Sequence, residues 1–174
     1  MRLSALIHLV QSVRAVAQCD QIHVLGSGSL LASFPKMAEP LLATTYDADL
    51  LVEPCDEELA AVLHEAVGEG SLFAKRTGYH ADLLRPNIEK SLPKGWRERL
   101  VPLEAVPNAD ALEPLDLMVV KLRVGREKDL ELVQSVMRNA PISGLELRAR
   151  LDAAALDERE VIKVYARLEE IIGD

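Results

Sequence analysis

Two neighbouring aspartates are candidates for a metal site. Asp47 and Asp49 stand one residue apart, and the apolar run Leu-Leu-Val at 50–52 follows them, as in a buried β-strand. Alternate residues of a strand share a face, so the two carboxylates would point the same way, with Cα atoms roughly 7 Å apart. Carboxylates held side by side repel each other unless they share a divalent cation or a proton. The pair therefore indicates a site that binds a hard cation or holds a shared proton.

A third aspartate, Asp82, stands in a similar setting. It precedes two leucines in the strand-like stretch 79–84, and His80 falls on the same face of that strand. Three carboxylates on strands could bind one or two Mg²⁺ ions and hold a nucleoside triphosphate for in-line attack. The alternative is a structural aspartate that pairs with Arg85 or with a backbone N–H group.

A glycine-rich turn precedes these strands. Residues 24–29 read Val-Leu-Gly-Ser-Gly-Ser and predict a strand, a tight turn and the start of a helix. Free N–H groups and a hydroxyl at such a corner suit a phosphate group, although most Gly-Ser turns are only turns. A dinucleotide-binding fingerprint is excluded because its acid ends an apolar strand, whereas Asp47 precedes one. A P-loop is excluded because no Gly-Lys-Ser or Gly-Lys-Thr follows the turn.

The combination of these features resembles the polymerase-β-type nucleotidyltransferase superfamily, and more closely its minimal bacterial, AbiEii-like, toxin-type group. That group typically carries a Thr-x-Asp-x-Asp-Leu motif, which residues 45–50 match. Its downstream Asp-Leu-x-x-x-Lys-Leu motif matches residues 116–122, and its Arg-x-Lys-Asp motif matches residues 126–129. The resemblance covers about residues 20–135 of the chain.

The resemblance implies an α+β fold of nucleotidyltransferase type, in which helices flank a small mixed β-sheet and a helical C-terminal part follows. It implies a Mg²⁺- or Mn²⁺-dependent transfer of a nucleoside monophosphate from an NTP to a hydroxyl acceptor on a protein, an RNA end such as that of tRNA, or a small molecule. The implied catalytic and metal-binding residues are Asp47, Asp49 and Asp82. The implied nucleotide-binding residues are Gly26, Ser27, Lys121, Arg126, Lys128 and Asp129.

Other roles fit the same residues. A toxin-type member would have an antitoxin partner, and a homo-oligomer is a further option. A chain with this fold but without catalysis would act as a nucleotide sensor or as a regulatory partner. A third hypothesis is an interaction module with a metal-free acidic edge, in which Lys121 and Lys128 belong to a solvated helix face.

The composition narrows the choice of partners. The 174 residues carry a formal net charge of −8, which argues against broad binding to phosphate backbones. Basic side chains concentrate in residues 75–100, where seven basic and three acidic residues could form a local patch. Aromatic residues make up 3% of the chain, so we expect no base-stacking platform. Two cysteines give no disulfide framework, and no signal peptide or membrane-spanning run is expected, which together predict a cytoplasmic protein.

The periodicity of apolar residues predicts the order of the elements. Helices are expected at 3–18, 29–33, 57–67, 114–123, 128–137, 144–155 and 158–172. Strands are expected at 22–25, 46–53, 71–76, 79–84 and 98–106, and loops at 33–44 and 86–95. We expect residues 1–107 to form a nucleotidyltransferase-like α/β core and residues 108–174 to form a helical C-terminal subdomain packed on it.

Overall fold

The computed structural model describes residues 1–154 and 156–173. The strands are β1 (Gln21–Val24), β2 (Asp47–Glu53), β3 (His80–Leu83), β4 (Val101–Pro102) and β5 (Ala109–Ala111). The α-helices are α1 (Leu3–Ala17), α2 (Leu30–Ser33), α3 (Pro35–Leu41), α4 (Glu57–Val67), α5 (Leu72–Thr77), α6 (Pro114–Val124), α7 (Glu127–Asn139), α8 (Gly144–Asp152) and α9 (Glu158–Ile172). Short 3₁₀ helices span Ser27–Ser29, Pro86–Ser91 and Trp96–Arg99.

The strands form one mixed sheet with the order β3-β2-β1-β5-β4. β2 runs parallel to β3 and antiparallel to β1, while β5 runs parallel to β1 and antiparallel to β4. Helices precede, follow and connect these strands. The predicted α+β class, a small mixed sheet flanked by helices, is thereby confirmed.

Side chains alternate between the two faces of the sheet along β2. Ala48, Leu50 and Val52 are buried on one face, and Asp47, Asp49 and the buried Leu51 lie on the other. Behind the sheet, α1 packs against α4, and α4 packs against β3. A shift of one residue in the register of β2 would bury both aspartates, so packing of the apolar face holds the carboxylates in place.

Side-chain caps begin several of the helices. The Asp56 carboxylate accepts a hydrogen bond from the Leu59 N–H at 2.8 Å and begins α4. Reciprocal capping boxes begin α8 and α9 at the pairs Ser143–Glu146 and Asp157–Glu160. These local bonds fix where the helices start.

The helical C-terminal part is arranged around α6, which packs against α7, α8 and α9. Gly125 adopts the left-handed conformation (φ 67°) and ends α6. The Arg167 guanidinium donates hydrogen bonds to the carbonyl oxygens of Leu122 and Arg123 at this end. Lys121 and Lys128 therefore lie on two different helices rather than along one.

The strand predicted at 71–76 is wrong, because these residues form α5. The Ser71 hydroxyl accepts a hydrogen bond from the Ala74 N–H at 3.0 Å, which caps the helix. Gly78 ends it in the left-handed conformation (φ 81°). In so short a segment the two helix-terminal signals outweigh an apolar pattern that suits either structure.

Three other elements differ from the prediction. The loop predicted at 33–44 contains α3, which begins with Pro35 at a position where a missing N–H costs no hydrogen bond. The strand predicted at 98–106 is reduced to the two residues of β4. The three-residue strand β5 was not foreseen, since Ala-Asp-Ala is too short and too weakly apolar to stand out.

The division of the chain at 107/108 stays a prediction, although the sheet continues through β5 to Ala111 and the helical part begins at Pro114. The helix predicted at 144–155 ends at Asp152, and residues 155 and 174 themselves lie outside the described residues. Among the described residues, no helix combines the length and the apolar character needed to cross a membrane.

Candidate active site

The three predicted carboxylates converge on one face of the sheet. Asp49 lies opposite Asp82 in the parallel pairing of β2 and β3, and Asp47 lies opposite His80. Each aspartate offers one oxygen atom to a group in which all three atoms lie within 4.8 Å of one another. The strand register thus brings Asp82 beside Asp49 and Asp47, which precede it by 33 and 35 residues in the sequence.

Burial distinguishes the members of the triad. Asp47 and Asp49 are partly buried, while the Asp82 side chain is 51% exposed and lies 3.5 Å from the His80 Nε2 atom. Burial raises the pKa of Asp49, and the neighbouring charges of Asp47 and Asp82 raise it further, whereas Lys121 opposes the shift. Burial and the neighbouring carboxylates therefore outweigh the effect of the nearby cations on Asp49.

Gly26 determines how closely the turn after β1 approaches this triad. A Cβ atom at Gly26 would lie 1.7 Å from the Asp49 Oδ2 atom, a separation that no side chain permits. The backbone of Gly26 is in an ordinary extended conformation (φ −91°), so the glycine is required by packing alone. The Leu25 N–H also donates to the Asp49 carbonyl oxygen at 3.0 Å, which ties the turn to β2.

The helical part brings cations to the triad. The Lys121 Nζ atom lies 2.9 Å from Asp129 Oδ1, and the Arg126 Nε atom lies 2.6 Å from Asp129 Oδ2. Asp129 is 1% exposed, and burial alone would raise its pKa. The hydrogen bonds from Arg126 and Lys121 outweigh burial and leave the pKa lowered, so Asp129 holds both cations in place.

A cavity of about 520 Å³ joins the triad to these cations. The predicted site residues that line it are Ser27, Asp47, Asp49, Asp82, Lys121, Arg126, Lys128 and Asp129. Gly26 contacts Asp49 and does not line the cavity itself. The structure thus places all nine predicted residues in or directly against one pocket.

Several residues of the wall were not among the predicted site residues, although Thr45 belongs to the Thr-x-Asp-x-Asp-Leu motif. They are Leu41, Leu42, Thr44, Thr45, Glu131, Leu132 and Ser135. Residues 131, 132 and 135 follow Lys128 at the spacing of one helix face, so the helical repeat could have found them. Residues 41–45 belong to the end of α3 and to the turn before β2, in or next to the loop predicted at 33–44.

The first residue of the Asp-Leu-x-x-x-Lys-Leu motif, Asp116, lies outside the pocket. Asp116 is fully buried and accepts hydrogen bonds from Arg99 at 2.9 and 3.1 Å and from Arg150. These bonds link the 3₁₀ helix Trp96–Arg99 and α8 to α6. Asp116 therefore stabilises the frame that carries Lys121 and does not line the pocket.

A mixed sheet with an acidic triad beside helix-borne cations defines a protein of the nucleotidyltransferase type. The sequence profile of a family described as "nucleotidyltransferase of unknown function" (DUF6036) matches residues 2–171. The chain belongs to this family. A search of curated proteins found no match, and a search of solved structures found none.

Proposed function

We propose that the protein transfers a nucleoside monophosphate from an NTP to a hydroxyl group in a reaction that depends on Mg²⁺ or Mn²⁺. The observation that supports this most directly is that one pocket contains both the three carboxylates of the triad and the cations Lys121, Arg126 and Lys128. Carboxylates suit divalent cations, and the three cationic side chains suit the phosphates that accompany such cations.

The donor set fits a hard divalent cation. Three carboxylates supply oxygen ligands only, and their nearest oxygens lie within 4.8 Å of one another. Oxygen ligands about 2.1 Å from one Mg²⁺ ion span about 4 Å, which is close to this separation. A cation held by Asp47, Asp49 and Asp82 would neutralise charge on the phosphates and increase the electrophilic character of the α-phosphorus.

Other residues of the pocket bind and orient the triphosphate. Lys121, Arg126 and Lys128 bind the phosphates, and Asp129 keeps the first two in a fixed position. Ser27 lines the same pocket and offers its hydroxyl and its backbone N–H, for which no backbone acceptor is found within the described residues. Together these groups orient the triphosphate against the triad.

The transfer step needs a proton acceptor. The oxygen of the acceptor hydroxyl forms a bond to the α-phosphorus, the bond from that phosphorus to the bridging β-phosphate oxygen breaks, and pyrophosphate leaves. Asp82 is the most exposed carboxylate of the triad. We propose that it orients the attacking hydroxyl and accepts its proton.

The test uses each of the four α-labelled NTPs with Mg²⁺ or Mn²⁺ in a cell extract, with the wild type beside Asp49→Asn. We expect the wild type to attach label to an acceptor and Asp49→Asn to attach none. Thermal shift with unlabelled NTP gives a second readout, because binding stabilises the folded state. Binding without any transfer would instead identify a nucleotide sensor, and the absence of both would exclude a nucleotide site.

We further propose that the protein belongs to the AbiEii-like, toxin-type subgroup of nucleotidyltransferases. This proposal rests on the Thr-x-Asp-x-Asp-Leu and Arg-x-Lys-Asp motifs, whose residues Thr45, Asp47, Asp49, Arg126, Lys128 and Asp129 all line the pocket. A toxin of this type would arrest growth when overexpressed, and Asp49→Asn would relieve the arrest. Growth curves of the two strains test this point.

A further inference from the structure

The pocket of the triad extends beyond its cations along α7. Lys128, Glu131, Leu132 and Ser135 line it and recur at the spacing of one helix face. The end of α3 and the turn before β2 form the opposite wall, and α3 packs against α7. We call this part of the pocket the α3–α7 cleft, and the residues that line it are Leu41, Leu42, Thr44, Glu131, Leu132 and Ser135.

The cleft is where the nucleoside of a bound NTP would lie. A triphosphate held by Lys121, Arg126 and Lys128 occupies the part of the pocket at which α6 ends and α7 begins. Along α7, Glu131 follows Lys128 by about 4.5 Å and Ser135 follows it by about 10.5 Å. In a nucleotide the ribose follows the α-phosphate and the base follows the ribose. The ribose therefore falls beside Glu131, and the base falls farther along the cleft.

The Glu131 carboxylate has no partner in the part of the chain that the structure describes. Among these residues, the ion pairs made by the basic side chains of the pocket join Lys121 and Arg126 to Asp129. Glu131 takes part in none of them and accepts no hydrogen bond there, although Lys128 precedes it by three residues on the same helix face. Its two oxygen atoms are thus available to a ligand.

The charges of the pocket indicate which part of a nucleotide Glu131 would meet. Five carboxylates and three Lys or Arg side chains line the pocket. Three of the carboxylates form the triad, and Asp129 is held between Lys121 and Arg126. A fifth carboxylate beside the phosphates would repel them. Glu131 therefore suits the uncharged part of the nucleotide, which begins with the ribose.

We infer that Glu131 accepts hydrogen bonds from the 2′- and 3′-hydroxyl groups of the ribose, and that it makes the protein selective for ribonucleoside triphosphates. The inference rests on the proposed nucleotidyl transfer and adds to it the residue that recognises the sugar. An ionised carboxylate has two acceptor oxygens, which match two adjacent hydroxyl donors. Hydrogen bonds to a charged acceptor are also stronger than those between neutral groups.

The rest of the cleft suits any of the four bases. Leu41 and Leu132 are half-buried apolar side chains against which a flat base can pack. Thr44 and Ser135 offer hydroxyl groups, which donate as well as accept hydrogen bonds. The preference for ribose should therefore be similar for the four NTPs.

The test compares the binding of each NTP with that of its 2′,3′-dideoxy counterpart, which lacks both hydroxyl groups, by calorimetry with Mg²⁺. We expect the wild type to bind the NTP at least tenfold more tightly, because a site built around a hydroxyl group rejects a ligand without it. Glu131→Ala should bring this ratio of affinities close to one. The ratio is the readout, since the loss of a negative charge inside the pocket raises the affinity for both triphosphates alike.

Glu127→Ala is the matched control for Glu131→Ala. Glu127 is exposed in the first turn of the same helix and does not line the pocket. This variant removes a carboxylate from α7 without removing the contact with the ribose, so it should keep the wild-type ratio. Alanine favours the helix in both variants, and thermal melts check that both are folded.

The outcomes distinguish recognition of the sugar from the nucleotide site itself. If the wild type binds the NTP and its dideoxy counterpart equally, or if Glu131→Ala keeps the wild-type ratio, the assignment of Glu131 is overturned and the nucleotide site stands. If Glu127→Ala lowers the ratio as much as Glu131→Ala does, the effect comes from charge on α7 and the assignment is likewise overturned. If no NTP binds, the proposed function and the assignment both fall.

Discussion

The carboxylate of Asp49 occupies the space that a Cβ atom at Gly26 would need, since the two would lie 1.7 Å apart. The turn after β1 and the acidic strand β2 therefore touch without an intervening side chain. This contact sets the distance between the triad and Ser27, the next residue, which lines the same pocket as the triad. The glycine acts on the site through the position of Asp49.

We expect Gly26→Ala to displace Asp49 and to reduce nucleotidyl transfer at least tenfold, because ligand positions off by about 1 Å can cost two orders of magnitude. Mg²⁺-dependent thermal shift should fall in parallel. Gly28→Ala is the control, since its Cβ would meet only Val24 Cγ1 at 3.7 Å and Leu6 Cδ1 at 3.9 Å, which is ordinary contact. Equal activity in the two variants would contradict the packing argument.

Removing the charge of Asp49 should stabilise the metal-free protein. The folded-state pKa of Asp49 is raised by burial and by Asp47, so its stabilising effect is present at low pH and is lost as pH rises through that pKa. At neutral pH the charged form opposes folding, so Asp49→Asn should raise the free energy of unfolding, with a rise in Tm of roughly 2–4 °C for each 1 kcal/mol gained. Thermal melts in EDTA across a pH series measure this.

Two controls accompany the Asp49→Asn melts. Asp82→Asn should change Tm little, because the Asp82 side chain is half-exposed. Added Mg²⁺ should reverse the order, as it stabilises the wild type and leaves Asp49→Asn unchanged. A lower Tm for Asp49→Asn in EDTA at neutral pH would show that Asp49 is stabilised as the anion by groups other than a metal.

Asp129 should be essential for holding Lys121 and Arg126 in position beside the triad. Asp129→Asn removes the charge that holds Lys121 and Arg126, so NTP affinity should fall and the free energy of unfolding should drop by about 1–3 kcal/mol. The pKa of Asp129 is lowered, so its stabilising effect is present near neutral pH and is lost as the pH falls through that lowered pKa. Urea denaturation at neutral and acidic pH tests both statements.

Glu127→Gln is the matched change for Asp129→Asn. Glu127 is exposed in the same first turn of α7 and does not line the pocket. It should leave NTP affinity unchanged in calorimetry. If both variants bind NTP as the wild type does, Asp129 supports the fold and not the cations.

The sequence predicted the carboxylates more completely than it predicted their surroundings. The spacing of Asp47 and Asp49 follows from the two-residue repeat of a strand, and the start of α4 follows from the Asp56 cap. The contact of Gly26 with Asp49 joins residues 23 positions apart and leaves no local pattern. Short elements such as α5 were misassigned because six residues fit either repeat.

The arrangement of the basic residues in the pocket could likewise not be predicted from local sequence patterns. A continuous helix would have placed Lys121 and Lys128 on one face, but Gly125 ends α6 and starts a new direction. Only the three-dimensional arrangement brings Asp129 of α7 within 2.9 Å of Lys121. Motif matching found these residues, whereas periodicity alone could not relate them.

Gly125 offers a last test, because it joins the helix of Lys121 to the helix of Asp129. Its φ of 67° disfavours any other residue, and a Cβ there would lie 1.9 Å from the Arg167 Cζ atom. Gly125→Ala should thus lose about 1 kcal/mol for the backbone and about 1 kcal/mol more for the displaced hydrogen bonds of Arg167. NTP affinity should fall as well.

Gly70→Ala separates these two costs. Gly70 has a similar φ of 80°, and a Cβ there would meet no atom within 4 Å, so only the backbone cost applies. In an Arg167→Ala background, Gly125→Ala should cost no more than Gly70→Ala, and urea denaturation of the four variants completes this cycle. An unchanged cost of Gly125→Ala in that background would mean that the contact with Arg167 contributes nothing, and that the left-handed conformation alone holds α6 and α7 in the orientation that forms the pocket.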